Sequence, residues 1–439
     1  MASHDLSPSS APAAASSLAA ELPTDVLEAI FSFCIDIPVG VRPFGGYLES
    51  WYSNETMRAC ALVCRGWHEA GNNVLYHSIS LADRDTTNLL LRTLANDPRR
   101  ADKVNYLALR LVEEGLQIAA GAARLLEDSL ALLEAVKLCR KTITHLHLYP
   151  LHKGARTALF EVIPTVEALE TLVCSPRFYD PFEEPHVGGP LGGPPFPVQP
   201  AHPGGAFGSW AADLYSRTDL YELVLPPCLH TLELDFASSW SAQSLPFLNG
   251  LHPRGLKKLR LRCDTDEEVL WEVLKKCPEL EVCELYFERL LSRDDTTAAL
   301  RASTSTMRQM QFLCNPTFED LALFDSAAEP IFDRLLPSYT RLETLAISAT
   351  ELSSSVFRLL PPSVEALEIQ AFNHVSTFRF TPGLAADIRD SRYATGLKSL
   401  RVHDAAEAWE EEHIQALEEA CEARGIVFYF RADTEAGSV

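Results

Sequence analysis

Residues 256–261 read Leu-Lys-Lys-Leu-Arg-Leu, a six-residue pattern with apolar side chains at its first, fourth and sixth positions. The fourth and sixth positions are two residues apart, the spacing that places side chains on one face of a β-strand. The pattern recurs at nine further places, and repetition on this scale is typical of a solenoid. The ten copies begin at Val104, Ile143, Leu169, Leu229, Leu256, Leu280, Met307, Leu342, Val364 and Leu397.

The spacing of the copies leaves room for a helix between strands. Starts at 229, 256, 280 and 307 are separated by 27, 24 and 27 residues, enough for one strand and one helix in each unit. The segment from Ala406 to Arg424 sets Ile414, Leu417 and Cys421 on one helical face before Gly425. We therefore predict an α/β solenoid in which parallel strands alternate with helices.

One gap between copies has a different composition. Residues 176–205 contain nine Pro and six Gly, so we predict a loop or disordered insertion over 176–209. Within it Pro194, Pro197, Pro200 and Pro203 fall every third residue, the spacing of a polyproline II helix. Because no Lys or Arg lies in the proline run, a plain spacer is the favoured interpretation over a docking motif.

Charge and composition exclude several classes of partner. The 439 residues include 38 basic and 60 acidic ones, a formal net charge of −22, which repels phosphate backbones and anionic lipids. Residues 1–20 lack Lys and Arg, and no apolar run reaches about 18 residues, so we expect no secretory leader and no membrane association. The eleven cysteines include no Cys-x-x-Cys pair, which indicates reduced thiols in the cytoplasm or nucleus.

Catalytic motifs are missing from the sequence. We find no Gly-x-Gly-x-x-Gly, Walker-type, His-Glu-x-x-His or Gly-x-Ser-x-Gly pattern. His145 and His147 would share one side of a strand, but two histidines lack the further ligands of a zinc site, and we expect solvated side chains. Cys263 has basic neighbours in Arg260 and Arg262, yet no identifiable base. We expect no catalytic residue, metal or cofactor; an enzyme with an unfamiliar site remains an alternative.

Residues that flank the fourth position of each copy, together with the residue that follows the copy, should point away from the core and form one continuous surface. Its ten rows hold five basic and four acidic residues, a sum of +1 in a molecule of −22. An ordinary solvated face and a protein-binding surface both fit this composition. As a hypothesis, the basic row of Lys258, Arg260 and Arg262 contacts an acidic segment of a partner. The candidate target-binding residues are Lys258, Arg260, Arg262, Glu284 and Tyr286.

A separate helical pattern precedes the repeats. Residues 22–31, Leu-Pro-Thr-Asp-Val-Leu-Glu-Ala-Ile-Phe, predict a helix in which Leu27, Ile30 and Phe31 share a face. A linker rich in Gly, Pro and aromatic residues spans 37–54, and a second helical pattern runs from 56 to 69. Because the apolar stripe of the first helix needs a covering surface, we predict a small helical module over 21–80.

This module carries a resemblance to a known family. Leu22–Phe31, followed by Cys-Ala-Leu-Val-Cys-Arg-Gly-Trp at 60–67 and Val-Leu-Tyr at 74–76, resembles an F-box. The later repeats resemble the irregular leucine-rich repeats of fungal F-box proteins. The resemblance implies a leucine-rich-repeat horseshoe with parallel strands over 81–432, preceded by an all-α F-box module. A disordered leader would occupy 1–20 and a tail 433–439.

In that family the F-box binds the Skp-type adaptor of a cullin-RING ubiquitin ligase, and the repeats hold the protein to be ubiquitinated. The resemblance implies that this chain is such a substrate-recognition subunit, with an unidentified protein as its target. Alternatives are a repeat scaffold without ligase association, and a helical module that only caps the solenoid. The adaptor contacts implied by the resemblance are Leu22, Pro23, Leu27, Ile30, Phe31, Leu62, Val63 and Trp67.

Overall fold

The structure is a computed structural model. The residues it describes are 22–34, 59, 61–81, 84–110, 118–149, 156–174, 225–236, 255–263, 271, 273–287, 293–314, 330–370, 382–404 and 411–432. Four predicted segments lie outside them: the leader 1–20, the linker 37–54, the insertion 176–209 with its proline spacing, and the tail 433–439.

Within the described residues, twelve strands form one parallel sheet in which spatial neighbours are also neighbours along the chain. All ten copies of the sequence pattern are strands, so the prediction of parallel strands in an α/β solenoid-like arrangement is confirmed. The strands are β1 (Ser78–Leu81), β2 (Tyr106–Arg110), β3 (His145–Tyr149), β4 (Thr171–Cys174), β5 (Thr231–Phe236), β6 (Lys258–Cys263), β7 (Val282–Phe287), β8 (Gln309–Cys314), β9 (Thr344–Ser348), β10 (Ala366–Gln370), β11 (Ser399–Asp404) and β12 (Val427–Ala432).

Helices precede the sheet and connect its strands. The helix Glu411–Ala423 confirms the helix expected between residues 406 and 424. The described helices are α1 (Thr24–Cys34), α2 (Arg65–His77), α3 (Arg84–Asn96), α4 (Pro98–Ala101), α5 (Ile118–Cys139), α6 (Arg156–Val162), α7 (Arg293–Leu300), α8 (Ile331–Leu335), α9 (Val356–Leu359), α10 (Pro382–Arg389) and α11 (Glu411–Ala423).

The same backbone hydrogen bonds recur from repeat to repeat. The carbonyl oxygen of the second pattern residue accepts two N–H groups of the next repeat, as Lys257 does from Glu281 and Val282 at 2.8 and 2.9 Å. The first pattern residue closes a turn, and Leu229 and Val364 do so on Pro226 and Pro361, both at 3.1 Å. The two Leu-Pro-Pro segments therefore enter the same kind of turn, where proline is tolerated because no helix continues through it.

One hydrophobic core runs beneath the sheet, and its best buried members come from the sequence pattern. The fourth residue of every copy is at most 1% exposed. Burial of one such side chain is worth about 1.5–3 kcal/mol relative to exposure. The fourth-position residues are Leu107, Leu146, Leu172, Leu232, Leu259, Cys283, Met310, Leu345, Leu367 and Leu400.

The pattern missed the two outer strands. In register with the other copies, β1 has Tyr76 at the first position and β12 has Gly425, so neither begins with an aliphatic residue. Gly425 adopts a left-handed conformation with φ of 68°, which ends α11 immediately before β12. At that end of the sheet, the first position is therefore a glycine that makes the turn, not an apolar residue of the core.

Candidate functional site

The helical module has a small core of its own. Leu27 and Phe31 of α1 are buried against Ala70 and Val74 of α2. The Phe31 and Trp67 rings meet edge to face with centroids 5.2 Å apart. Leu27 and Phe31, which the resemblance implied as adaptor contacts, therefore face the interior of this chain. Their part in any docking is to hold α1 on α2, because their side chains are not at the surface.

The second helical pattern is interrupted by an extended residue, and two apolar side chains just before the interruption point outward. The helical pattern over 56–69 was predicted as continuous, but Cys64 is extended, with φ of −158° and ψ of 171°, and α2 begins at the next residue. Ala61 packs so closely on α2 that a Cβ built on Gly71 would lie 2.8 Å from the Ala61 Cβ. Leu62 and Val63 follow and are 81% and 62% exposed, the highest values for large apolar side chains among the described residues.

The outer side of α1 is also apolar. Val26 and Ile30 stand four residues apart on one side of α1, Leu22 lies two residues before the helix begins, and all three are exposed. Asn73 of α2 donates a hydrogen bond to Glu28 Oε1 at 2.5 Å, which fixes the rotation of α1 on α2. We call the set Leu22, Val26, Ile30, Leu62 and Val63 the apolar face.

The helical module joins the sheet without a linker. Helix α2 ends at His77 and β1 begins at Ser78. Asn105, just before β2, donates its backbone N–H to the His77 carbonyl at 3.1 Å. The last turn of α2 is therefore bonded to the next repeat, and the apolar face has a defined position relative to the sheet.

The sheet surface opposite the core, here the open face, carries a compensated charge cluster at its centre. Lys258 Nζ lies 2.6 Å from Glu233 Oε1, and Arg260 Nε lies 3.3 Å from Glu284 Oε2. Arg260 Nη1 is also 3.9 Å from Glu233 Oε2. These contacts follow from strand register, because Glu233, Arg260 and Glu284 are direct neighbours across β5, β6 and β7.

These ion pairs bear on the hypothesis that Lys258, Arg260 and Arg262 form a basic row that contacts an acidic partner segment. Two carboxylates balance Lys258 and Arg260, so these two cations present no net positive charge to a partner. The side chain of Arg262 lies outside the described residues. Sequence spacing located the cations, but only the register between strands shows which carboxylates oppose them.

Tyr286 extends the cluster towards β8. Gln311 Nε2 donates a hydrogen bond to the Tyr286 hydroxyl at 2.6 Å, and Arg260 Cζ lies 6.0 Å from the Tyr286 ring centroid. Of the five target-binding candidates, the structure thus brings Lys258, Arg260, Glu284 and Tyr286 together. Gln311 belongs to the same cluster, although it was not among the predicted target-binding residues.

A second polar group lies on the open face near the end of the sheet. Glu368 Oε1 is 2.8 Å from His403 Nε2 and accepts a hydrogen bond from Gln370 Nε2 at 3.2 Å. Arg401 Cζ lies 5.5 Å from the ring centroid of Tyr429, whose strand the sequence pattern missed. This group and the central cluster give the open face paired charges and half-covered aromatic rings.

The two histidines of β3 differ from the expectation of solvated side chains. His147 is half-buried, with its ring centroid 4.9 Å from that of Tyr106. Burial lowers the pKa of His147 to about 4, so the ring is neutral at pH 7. His145 lies 2.9 Å from the Thr144 hydroxyl through Nδ1.

The buried thiols are not activated. Burial raises the pKa of Cys139, Cys174, Cys277 and Cys421 to about 12, and each is therefore a protonated thiol at pH 7. The side chain of Cys263 lies outside the described residues. Within the described part of the chain, no group of three or more His, Cys, Asp or Glu side chains is arranged to hold a metal ion.

Comparison with protein-family models and with curated proteins identified no relative of this chain. No protein-family model matches the chain, and no curated protein matches it either. Among the helices that the structure describes, none is long and apolar enough to cross a membrane.

Proposed function

We propose that this chain is the substrate-recognition subunit of a cullin-RING ubiquitin ligase of the Skp/cullin/F-box type. The helical module binds the Skp-type adaptor, and the open face of the sheet binds the target protein. The observation that carries the proposal is the outward position of Leu62 and Val63 beside a module whose core is already filled by Leu27 and Phe31.

The apolar face has the chemistry of a helix dock. Val26 and Ile30 lie on one side of α1, Leu22 precedes that helix, and Leu62 and Val63 come from a helical segment that packs on α2 through Ala61. Full burial of each such side chain by a partner is worth about 1.5–3 kcal/mol before the entropic cost of association. A partner that presents an amphipathic helix would cover this surface best.

The structure divides the eight implied adaptor contacts into two groups. Leu22, Pro23, Ile30, Leu62 and Val63 are exposed and would contact the adaptor directly. Leu27, Phe31 and Trp67 form or line the core of the module and would act by keeping the two helices together. Val26, which the sequence resemblance did not include, joins the first group.

The open face would recognise its target by shape and hydrogen bonding more than by net charge. Lys258 and Arg260 are balanced by Glu233 and Glu284, so an acidic target segment would have to compete with these carboxylates. Tyr286, with its hydroxyl held by Gln311, offers a positioned aromatic ring of the kind enriched in protein interfaces. The chain itself would perform no bond chemistry and would supply proximity between target and the ubiquitin-carrying enzyme.

A capping role for the helical module is the second candidate. The chain connection favours it, because α2 leads directly into β1, the first strand of the described sheet, which is where a capping module would lie. A cap has no need of the exposed Leu62 and Val63, and adaptor binding therefore separates the two functions.

The test is co-purification of the full chain with a Skp-type adaptor. We expect the wild-type chain to capture the adaptor and the double variant Leu62→Lys, Val63→Lys to lose capture at least about tenfold. The matched control is Leu89→Lys on α3, which alters a leucine that is 59% exposed outside the module. Failure of the wild type to capture adaptor, or equal loss in the control, would overturn the proposal.

A further inference from the structure

Helix α2 also holds the helical residues 61–63, two of which belong to the apolar face. The segment ends at Cys64, whose backbone is extended, and the last carbonyl groups of a helix have no N–H partner within it. His68 Nδ1 lies 3.2 Å from the carbonyl oxygen of Ala61. Because a carbonyl oxygen can only accept a hydrogen bond, Nδ1 carries the proton and donates it.

Asn72, one turn further along α2, determines which ring nitrogen has the proton. Its amide nitrogen Nδ2 lies 2.9 Å from His68 Nε2. Because this amide nitrogen is a donor, Nε2 is the acceptor of the pair and carries no proton. Both contacts therefore require the same form of the ring, with the proton on Nδ1, which is the form that can bind Ala61.

Helix α2 uses different sides for the two parts of the apolar face. His68, Gly71 and Asn72 are three and four residues apart, on one side of the helix, and both His68 and Gly71 contact Ala61. The contacts with α1 lie on another side of the helix and involve Trp67, Ala70 and Val74. The direction of the segment 61–63 therefore depends on contacts that the core of the helical module does not supply.

We propose that His68 is a positioning residue of the apolar face. Its Nδ1–H group, oriented by Asn72, holds the Ala61 carbonyl and thereby fixes Leu62 and Val63 in their outward arrangement. The consequence for adaptor binding rests on the proposed function, because only then is this arrangement the one that the adaptor meets. The hydrogen bond and the order of the two residues do not depend on the adaptor, and they can be tested in the chain alone.

The first test is nuclear magnetic resonance of the full chain without adaptor. The chain has 13 histidines, and the ring signals of His68 are those missing from His68→Asn. At about pH 8, where a free histidine ring is neutral, we expect the ring proton of His68 on Nδ1. A ring proton on Nε2 would overturn the proposal.

The same method measures the order of Leu62 and Val63. We expect backbone order parameters of about 0.85 in the wild type and a fall towards about 0.6 in His68→Phe, which keeps a ring and removes the N–H donor. His68→Asn can place an amide N–H group where Nδ1 stands and should keep the wild-type order. The matched control is Glu69→Phe, which adds the same ring at the exposed next position and should leave the order unchanged. Equal order in His68→Phe and the wild type would contradict the proposal.

The second test is adaptor binding, measured by calorimetry on the full chain. We expect His68→Phe to bind at least about fivefold more weakly than the wild type, and His68→Asn and Glu69→Phe to stay within about twofold of it. Stronger binding by His68→Phe than by His68→Asn would show that the ring and not its N–H group matters, which would also overturn the proposal. If the wild-type chain does not bind the adaptor, the proposed function fails, whereas the ring proton and the order parameters still decide the role of His68.

Discussion

Arg100 donates a hydrogen bond from Nη1 to the Tyr76 hydroxyl at 2.7 Å, and thereby ties the end of α2 to α4. The guanidinium Cζ also lies 5.1 Å from the Tyr76 ring centroid, and Nε donates to Asp97 Oδ2 at 3.0 Å. Tyr76 belongs to the helical module by sequence and occupies the first position of the β1 repeat by register. One side chain thus takes part in both the module and the sheet.

Tyr76→Phe removes this hydrogen bond and keeps the ring. We predict a loss of about 1 kcal/mol in the free energy of unfolding, because Arg100 and its partner are only partly buried. Urea denaturation measures the loss. Arg99→Ala, one residue away and exposed, is the control and should stay within about 0.5 kcal/mol of the wild type. Equal effects of the two substitutions would show that the hydrogen bond contributes nothing.

Met310→Ala tests the shared core beneath the sheet. Met310 occupies the fourth position of its repeat and is fully buried, so truncation should cost about 2–5 kcal/mol of unfolding free energy. Its neighbour Gln309 points to the other face and is exposed. Gln309→Ala should therefore change stability by less than about 0.5 kcal/mol. Comparable losses would contradict the alternation of faces along β8.

Arg260 and Glu284 should be energetically coupled. Arg260→Ala removes the cation between Glu233 and Glu284, and we predict a loss of about 1–3 kcal/mol because the side chains are largely covered. In a double-mutant cycle with Glu284→Gln, the coupling energy should be about 0.5–3 kcal/mol, measured by chemical denaturation. Additivity of the two substitutions would mean that the strand register brings them together without a stabilising interaction.

His147 should make the stability depend on pH. Its pKa is lowered in the folded state to about 4, so the unfolded chain binds the extra proton at higher pH than the folded chain does. The resulting stabilisation is present above about pH 6.5 and is lost as the pH falls towards 4, by at most about 3 kcal/mol. His147→Gln should flatten this part of the stability profile relative to the wild type. Parallel profiles for the two chains would contradict the burial of the ring.

The strands were predictable because their side chains obey a local rule. Apolar residues at the fourth and sixth positions must point into the core, and any copy that keeps this spacing is visible in the sequence. β1 and β12 were not predicted because their first positions are Tyr76 and Gly425 rather than aliphatic residues. Tyr76 accepts a hydrogen bond from Arg100 of α4, and Gly425 provides the left-handed conformation that ends α11. At both ends of the sheet, a contact or turn needed by a neighbouring helix therefore determines the residue at the first position of the pattern.

The candidate site was less predictable because it depends on contacts between distant residues. Helical spacing placed Leu27, Ile30 and Phe31 on one face, but the division into buried Leu27 and Phe31 and exposed Ile30 is set by α2. Likewise, the pairing of Lys258 with Glu233 spans 25 residues and follows from strand register. No pattern within a single segment carries either kind of information.

Calorimetry of the purified full chain with the purified adaptor tests most directly the proposed binding of a Skp-type adaptor to the apolar face. We predict a 1:1 complex with a Kd below about 1 µM and a negative heat-capacity change, because apolar side chains leave water on binding. The Leu62→Lys, Val63→Lys variant should show neither. No binding of the wild-type chain at about 50 µM of both proteins, or unchanged binding by the variant, would contradict the account.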